Sequence, residues 1–222
     1  MTPSTARPAD PPTDLVLPIF PLPDVALFPH ALMPLHVFEA RYRAMVTDAL
    51  ARDRRLAIVR LLPGYEERYA GKPPVAAVAG AGEIVNWERL PGGRYNILVE
   101  GRWRVRLGRE LPSDTLYRVV RLRRLAETPP RGDVSRLVGG VRAAARRLLE
   151  ALDGPRDLLT TLLAEDQPPG VIADRAAAAF LADPDVQQEL LETLAVEPRL
   201  ERVSAALEAL LNELREERGG AG

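Results

Sequence analysis

The chain has no cysteine in 222 residues, which excludes disulfides, thiolate metal sites and thiol nucleophiles. Histidine is nearly as scarce. His30 and His36 are the only imidazoles, and no carboxylates stand near them at a zinc-site spacing. Lysine occurs once, at Lys72, and every other basic side chain is arginine. With so much alanine and proline, that usage points to a GC-rich, bacterial coding bias. No apolar run reaches the roughly 18 residues of a membrane span. Residues 1–14, MTPSTARPADPPTD, lack the apolar stretch of a signal peptide. They read as a disordered, proline-rich leader, and the cytoplasm is the expected location. Neither sign of charge dominates: 30 Lys and Arg face 31 Asp and Glu, so bulk charge draws in neither nucleic acid nor an anionic membrane.

Catalytic patterns are equally thin. No G-x-x-x-x-G-K-[ST] phosphate loop occurs. Ser4, Ser113, Ser135 and Ser204 are all remote in sequence from Lys72, so a Ser–Lys dyad has no local support. Asp14, Asp24, Glu39 and Glu83 show no spacing for paired acid–base work. No cofactor or metal site is expected, and an enzyme is the least supported class.

What is present is 46% hydrophobic residues, ample for a core, with a composition shift near residue 130. Before it, β-branched and aromatic residues alternate with polar ones between turns. After it, Ala, Leu, Arg and Glu recur at helical spacing. The fold class is therefore α+β, with a β-barrel subdomain over 15–130 and a helical bundle over 131–218. In the first part, 39–51 is the one clear helix, with Tyr42, Met45, Val46 and Ala49 at i, i+3, i+4 and i+7 facing the core. Strands are expected over 56–62, 74–87, 95–107 and 116–125. A glycine interruption at Gly80 and Gly82 marks a bulge or bend, and 90–94 forms a hairpin turn. In the second part, Val134, Leu137, Val138, Val141, Ala145, Leu148, Leu149 and Leu152 form one stripe, stopped by Gly154 and Pro155. Helices follow over 156–165 and 171–181. Asp183–Pro184 reads as an N-cap followed by proline at N1, and Pro198 opens a last helix with Leu200, Val203, Leu207, Leu210, Leu211 and Leu214 on one face.

The most specific stretch is the opening, 17–42. Five prolines fall in the 18 residues from Leu17 to Pro34, so short edge-type strands and tight turns are expected, with no central strand crossing Pro18, Pro21, Pro23, Pro29 or Pro34. The run LPIFPLPDVALFP, then PLHVFEARY, resembles the opening of the Lon protease N-terminal, substrate-binding domain. The resemblance continues in Gly80-Ala81-Gly82-Glu83-Ile84, where the family's usual threonine is missing, and in GGRYNILVEG at 92–101 and YRVVR at 117–121. It ends in QQELLE at 187–192 with Arg199-Leu200, where Gln187 replaces a usual lysine. It implies a PUA-like pseudo-β-barrel followed by a helical bundle, and a stand-alone domain lacking the ATPase and protease parts. It also implies binding of other proteins (unfolded clients or a Lon-type protease) through a groove between barrel and helices, as an adaptor or holdase.

Two sets of residues are candidates for contact. The first is His36, Phe38, Glu39, Arg41 and Tyr42 at the strand-to-helix junction, with Tyr65 and Tyr69 in the 63–73 loop, as a surface for client proteins. The competing reading packs Phe38 and Tyr42 in the barrel and makes Glu39 a helix cap. The second set serves an alternative function, RNA binding by a PUA-like module. Arg102, Arg104 and Arg106 would alternate on one face of a strand, with Arg121 and Arg123 nearby, as a ladder for phosphates. The competing reading is a solvated face paired with acids of the helical half.

Overall fold

In the computed structural model, the described residues are 14–69, 71–152, 164 and 166–219. The leader over 1–13, the Gly154–Pro155 stop and, apart from Ala164, the helix expected over 156–165 lie outside them. Asp14 is the first residue of a strand.

Six strands precede the bundle: β1 (Asp14–Leu22), β2 (Leu32–Val37), β3 (Arg55–Arg60), β4 (Val78–Arg89), β5 (Tyr95–Leu111) and β6 (Val119–Leu125). Helix α1 (Ala40–Leu50) lies between β2 and β3. The later helices are α2 (Ser135–Ala151), α3 (Pro169–Phe180), α4 (Pro184–Glu192) and α5 (Val196–Gly219). The sheet runs β2-β5-β4-β3-β1-β6, and β6 pairs back onto β5. Five strands thus close into a barrel, with β2 appended outside the ring. The length of β5 allows this. Its first half, Tyr95 to Glu100, pairs with β2, and its second half, from Arg104, pairs with β6.

The prolines of β1 are the main departure from the expected pattern. β1 is an interior strand, not an edge, and it crosses both Pro18 and Pro21. It switches partners midway. Asp14 to Pro18 pair antiparallel with β6, and Ile19 to Leu22 pair parallel with β3. Each proline therefore has a ladder on one side only, so its missing N–H leaves no central gap. Pro34 sits in β2, a true edge strand.

The glycines of β4 and β5 mark both a bulge and a close approach. The register slips between Ala81 and Gly82, and the segment joining β1 to β2 presses its backbone against this floor. A Cβ on Gly80 would sit 1.8 Å from the Leu27 carbonyl oxygen, and one on Gly101 2.0 Å from that of Phe28. Leu27 and Phe28 are fully buried there, each contributing about 2–3 kcal/mol of apolar transfer.

Helix α1 buries Tyr42, Met45, Val46 and Ala49, the four residues its periodicity selects. The α2 stripe is buried except for Leu137, which is half-buried, and Leu152, which is exposed beyond the helix end. Asp183 caps α4, its carboxylate accepting from Asp185 N (2.8 Å) and Val186 N (3.1 Å), worth about 1 kcal/mol.

Barrel and bundle share a core. Ala26, Phe28, Ala31 and Val78 pack with apolar residues of α2, α3, α4 and α5. Gln187 accepts from Ala26 N at 3.1 Å, and Gln188 donates to Val78 O at 3.0 Å. Arg60 donates to Pro184 O and pairs with Asp185. The barrel–helix groove expected from the sequence is thus filled by the protein's own side chains.

Candidate protein-contact site

The junction from β2 to α1 presents side chains outward by strand alternation. Along β2 and just past it, Leu32, Pro34, His36 and Phe38 are exposed, while Val37 is buried. Leu32 keeps 60% of its surface in water and Phe38 62%. His36 lies stacked 6.1 Å from Phe38, and its Nδ1 is 2.8 Å from Asn96 Oδ1 on β5. The reading that packs Phe38 inside the barrel is therefore wrong, and the pleat explains it: Val37 takes the inward place. Nearby, Leu98 lies opposite Pro34 and, with Asn86, Trp87, Glu88 and Asn96, lines a shallow depression of about 210 Å³. Val85 and Trp87 of β4 are exposed too, but Trp87 lies opposite the inward-facing Ile97 and so on the other face of the sheet from Pro34 and Leu98. Val85 is the extra residue of a second register slip in β4, between Ile84 and Asn86.

The remaining candidates converge on one polar cluster. Glu39 occupies the N-cap position of α1 but makes no side-chain cap bond, which corrects the capping reading. Its carboxylate accepts instead from Arg41 Nε (3.1 Å), Arg41 Nη2 (3.0 Å) and the Tyr69 hydroxyl (2.5 Å). Arg41 also donates to Tyr69 O at 2.8 Å and lies over the rings of Tyr42 and Tyr69 at 4.7 and 4.6 Å. Tyr65 leans on Tyr69, ring centroids 5.9 Å apart. The cluster latches the 63–73 loop onto the start of α1. Burial and the bond to Glu39 push the Tyr69 phenol up from its ordinary pKa. Tyr42 is only 4% exposed and packs against Phe20, ring centroids 4.3 Å apart, so it supports the site from below. The far end of the loop is tied by Lys72 to Glu110 (2.7 Å) and by Arg118 to Pro73 O (3.0 Å).

On another side of α1, a cleft of about 370 Å³ is lined by Val16, Leu17, Pro18, Ala49 and Val119, with Asp48, Arg52, Asp53, Arg55 and Tyr117 also contributing. The Tyr117 hydroxyl donates to Asp48 at 2.7 Å. Burial, reinforced by this bond and the Asp48 charge, pushes the Tyr117 phenol up to about 12.

The arginine ladder does not form. Trp103 pairs with Ala81 and Gly101 with Gly82, so Arg102 is the extra residue of the bulge. Arg102 pairs with Glu100 at 2.8 Å. Arg104 is buried against the bundle, donating to both oxygens of Asp174 (2.8 and 2.6 Å), to Glu127 Oε1 (3.1 Å) and to Leu191 O (3.0 Å). Arg106, Arg121 and Arg123 are exposed.

Sequence reasoning missed the partners of Arg104. Arg199 is fully buried and pairs with Glu127, and its Nε lies 3.2 Å from Asp174 Oδ1, an ionic contact without hydrogen-bond alignment. The signal was present. Arg199 occupies an apolar position of α5, at i+3 from Val196 and i−4 from Val203, and Asp174 stands among the alanines of α3. A charge at a core position requires a buried partner. The close packing also explains Gly170, where a Cβ would lie 2.7 Å from Glu127 Oε2.

Among the described residues, no group of three or more His, Asp or Glu is placed to hold a metal, and no helix is long and apolar enough to cross a membrane. The described residues set a closed barrel with an apolar outer edge against a helical bundle. The comparisons with known proteins give the kind of domain. The family model for the ATP-dependent protease La (LON) substrate-binding domain matches residues 16–209. The chain is 33% identical over 211 residues to the Lon protease of Roseiflexus castenholzii, covering 92% of this chain and 26% of that protease. It is 30% identical over 220 residues to Lon protease 2 of Sorangium cellulosum, covering 96% and 27%. The chain thus spans about a quarter of the length of these relatives. Two solved structures share its fold. One is the N-terminal domain of the Mycobacterium avium complex Lon protease (TM-score 0.62, 19% identity, 87% of this chain and 98% of that one). The other is a Lon N-terminal domain protein from Xanthomonas campestris (TM-score 0.63, 24% identity, 86% and 98%). The chain belongs to the Lon substrate-binding domain family.

Proposed function

We propose that this domain binds exposed apolar segments of unfolded client proteins, in the cytoplasm, as a non-catalytic adaptor that serves or competes with a Lon-type protease. The observation that carries the reading is the exposure of Leu32 and Phe38 on one edge of the barrel, in a chain whose family is defined by substrate binding. Large apolar side chains gathered on one side of a sheet are a docking feature when the rest of the core is well covered.

The mode of grip follows from Pro34. β2 is an edge strand, but its centre offers no N–H, so an incoming strand finds a broken ladder. The client is held by its apolar side chains on Leu32, Phe38 and Leu98, with His36, Tyr65 and Tyr69 as flanking contacts. Glu39 and Arg41 hold the loop in place beside them. Such a grip tolerates many sequences, as a quality-control adaptor requires.

The test is fluorescence anisotropy with a labelled, unstructured apolar peptide. The double variant Leu32→Ser/Phe38→Ser should bind at least tenfold more weakly, since two exposed apolar contacts at about 1 kcal/mol each are removed. Its melting temperature should be unchanged. Binding that survives the variant, or that yields to salt and not to an apolar competitor, overturns the reading.

A further inference from the structure

The outer face where β5 meets β6 carries arginines that the fold leaves uncompensated. Arg106 and Arg123 are direct cross-strand partners, and both are exposed. Like charges placed opposite each other weaken a sheet. Arg121 follows on the same side of β6, two residues from Arg123. Its ion pair with Asp14 is long, at 3.8 Å, with both side chains 57% exposed, and such a pair contributes next to nothing. Asp14 is itself the β1 neighbour of Arg123, among the described residues a single acid beside three guanidiniums. Among the described residues, no hydrogen bond or ion pair engages Arg106, Arg109 or Arg123. Elsewhere Arg104, Arg118, Arg147, Arg199 and Arg202 meet carboxylates, and what sets this face apart is that its arginines stand directly opposite one another. The exposed Gly108 leaves the strand bare beyond Arg106.

We infer that this face is a docking surface for an acidic segment of a partner protein, separate from the apolar edge at β2. Planar guanidiniums at cross-strand and i, i+2 spacing match a run of carboxylates, each accepting a forked pair of bonds. The absence of an aromatic platform favours an acidic peptide over single-stranded nucleic acid, whose bases stack on aromatic rings. Tyr42, Tyr95, Tyr117, Phe20 and Phe28 are buried, Tyr65 and Tyr69 belong to the loop on α1, Phe180 packs on the bundle core, Trp103 is covered by Arg55 and Arg124, and the exposed Phe38 and Trp87 lie at the β2 end of β5, away from β6. β2 and β6 pair with opposite halves of β5, so the two surfaces fail or succeed independently.

The experiment uses the full chain with two labelled probes, an oligoglutamate peptide and an oligouridylate of equal charge. The peptide should bind, should weaken with added salt, and should lose about tenfold in affinity in the variant Arg106→Ala/Arg121→Ala/Arg123→Ala. Loss of repulsion should raise the melting temperature of Arg123→Thr by about 1–2 °C. The inference is overturned if the peptide does not bind or binds the triple variant equally well. It is also overturned if the oligouridylate binds more tightly and loses that binding in the triple variant, or if Arg123→Thr melts lower than the parent.

Discussion

Replacing Asp174 by asparagine should be among the most damaging isosteric changes in this protein. The side chain is 1% exposed, and it lies between Arg104 and Arg199, whose side chains are 1% and 0% exposed. Its two oxygens take the forked bonds from Arg104 at 2.8 and 2.6 Å. The amide keeps the shape but turns an NH2 group toward a guanidinium, donor against donor, and removes the central negative charge. Two buried cations then share Glu127 alone, whose side chain is 40% exposed and screened by water. Breaking a buried pair by removing one partner costs about 3–5 kcal/mol. At about 2–4 °C per kcal/mol for a chain of this size, the melting temperature should fall by roughly 6–20 °C. Glu127→Gln, at the wetter end, should cost about 1 kcal/mol. Thermal and urea unfolding with an unchanged m value would measure both. A cycle with Arg104→Met should recover a coupling of more than about 1 kcal/mol, since the residues share a network. Asp174→Asn melting within about 2 °C of the parent, or Glu127→Gln costing more, would refute the claim that this cluster joins barrel to bundle.

Gly101→Ala should cost about 3 kcal/mol or more, because its Cβ would sit 2.0 Å from the Phe28 carbonyl; a urea midpoint equal to the parent's would contradict this. Tyr69→Phe removes the 2.5 Å bond to Glu39, about 1 kcal/mol, and should speed tryptic cleavage after Arg68, whereas unchanged cleavage would mean the latch does not hold the loop. Tyr42 and Tyr117 both have their phenols pushed up to about 12, in each case first by burial. A folded pKa above the unfolded value of about 10 gives stability that is complete below pH 10 and lost as pH rises toward 12. Chemical denaturation across that window should show the fall, and Tyr42→Phe or Tyr117→Phe should flatten it.

Much of the architecture was legible because it rests on local rules. The spacing of Tyr42, Met45, Val46 and Ala49 selects the buried face of α1, and Asp183–Pro184 announces its cap. The interior place of β1 was not legible, since proline excludes a strand only from a ladder on its N–H side, and the switch from β6 to β3 at Ile19 is a tertiary event. Arg104 shows the same limit. Strand alternation places it with Arg102 and Arg106, but the bulge at Arg102 and the acids Asp174 and Glu127, distant in sequence, decide its burial. The exposure of Phe38 turns on the pleat of β2, which the sequence left open between a contact and a core position. The latch of Glu39 and Arg41 onto Tyr69 needed the path of the 63–73 loop.

The most direct measurement is hydrogen exchange on the full chain with and without an unfolded, apolar client. The account predicts new protection over residues 32–38 and in the 63–73 loop, with α3 and α5 unchanged, and loss of that protection in Leu32→Ser/Phe38→Ser. Client binding with no change at 32–38, or protection confined to the barrel–bundle seam, would contradict it.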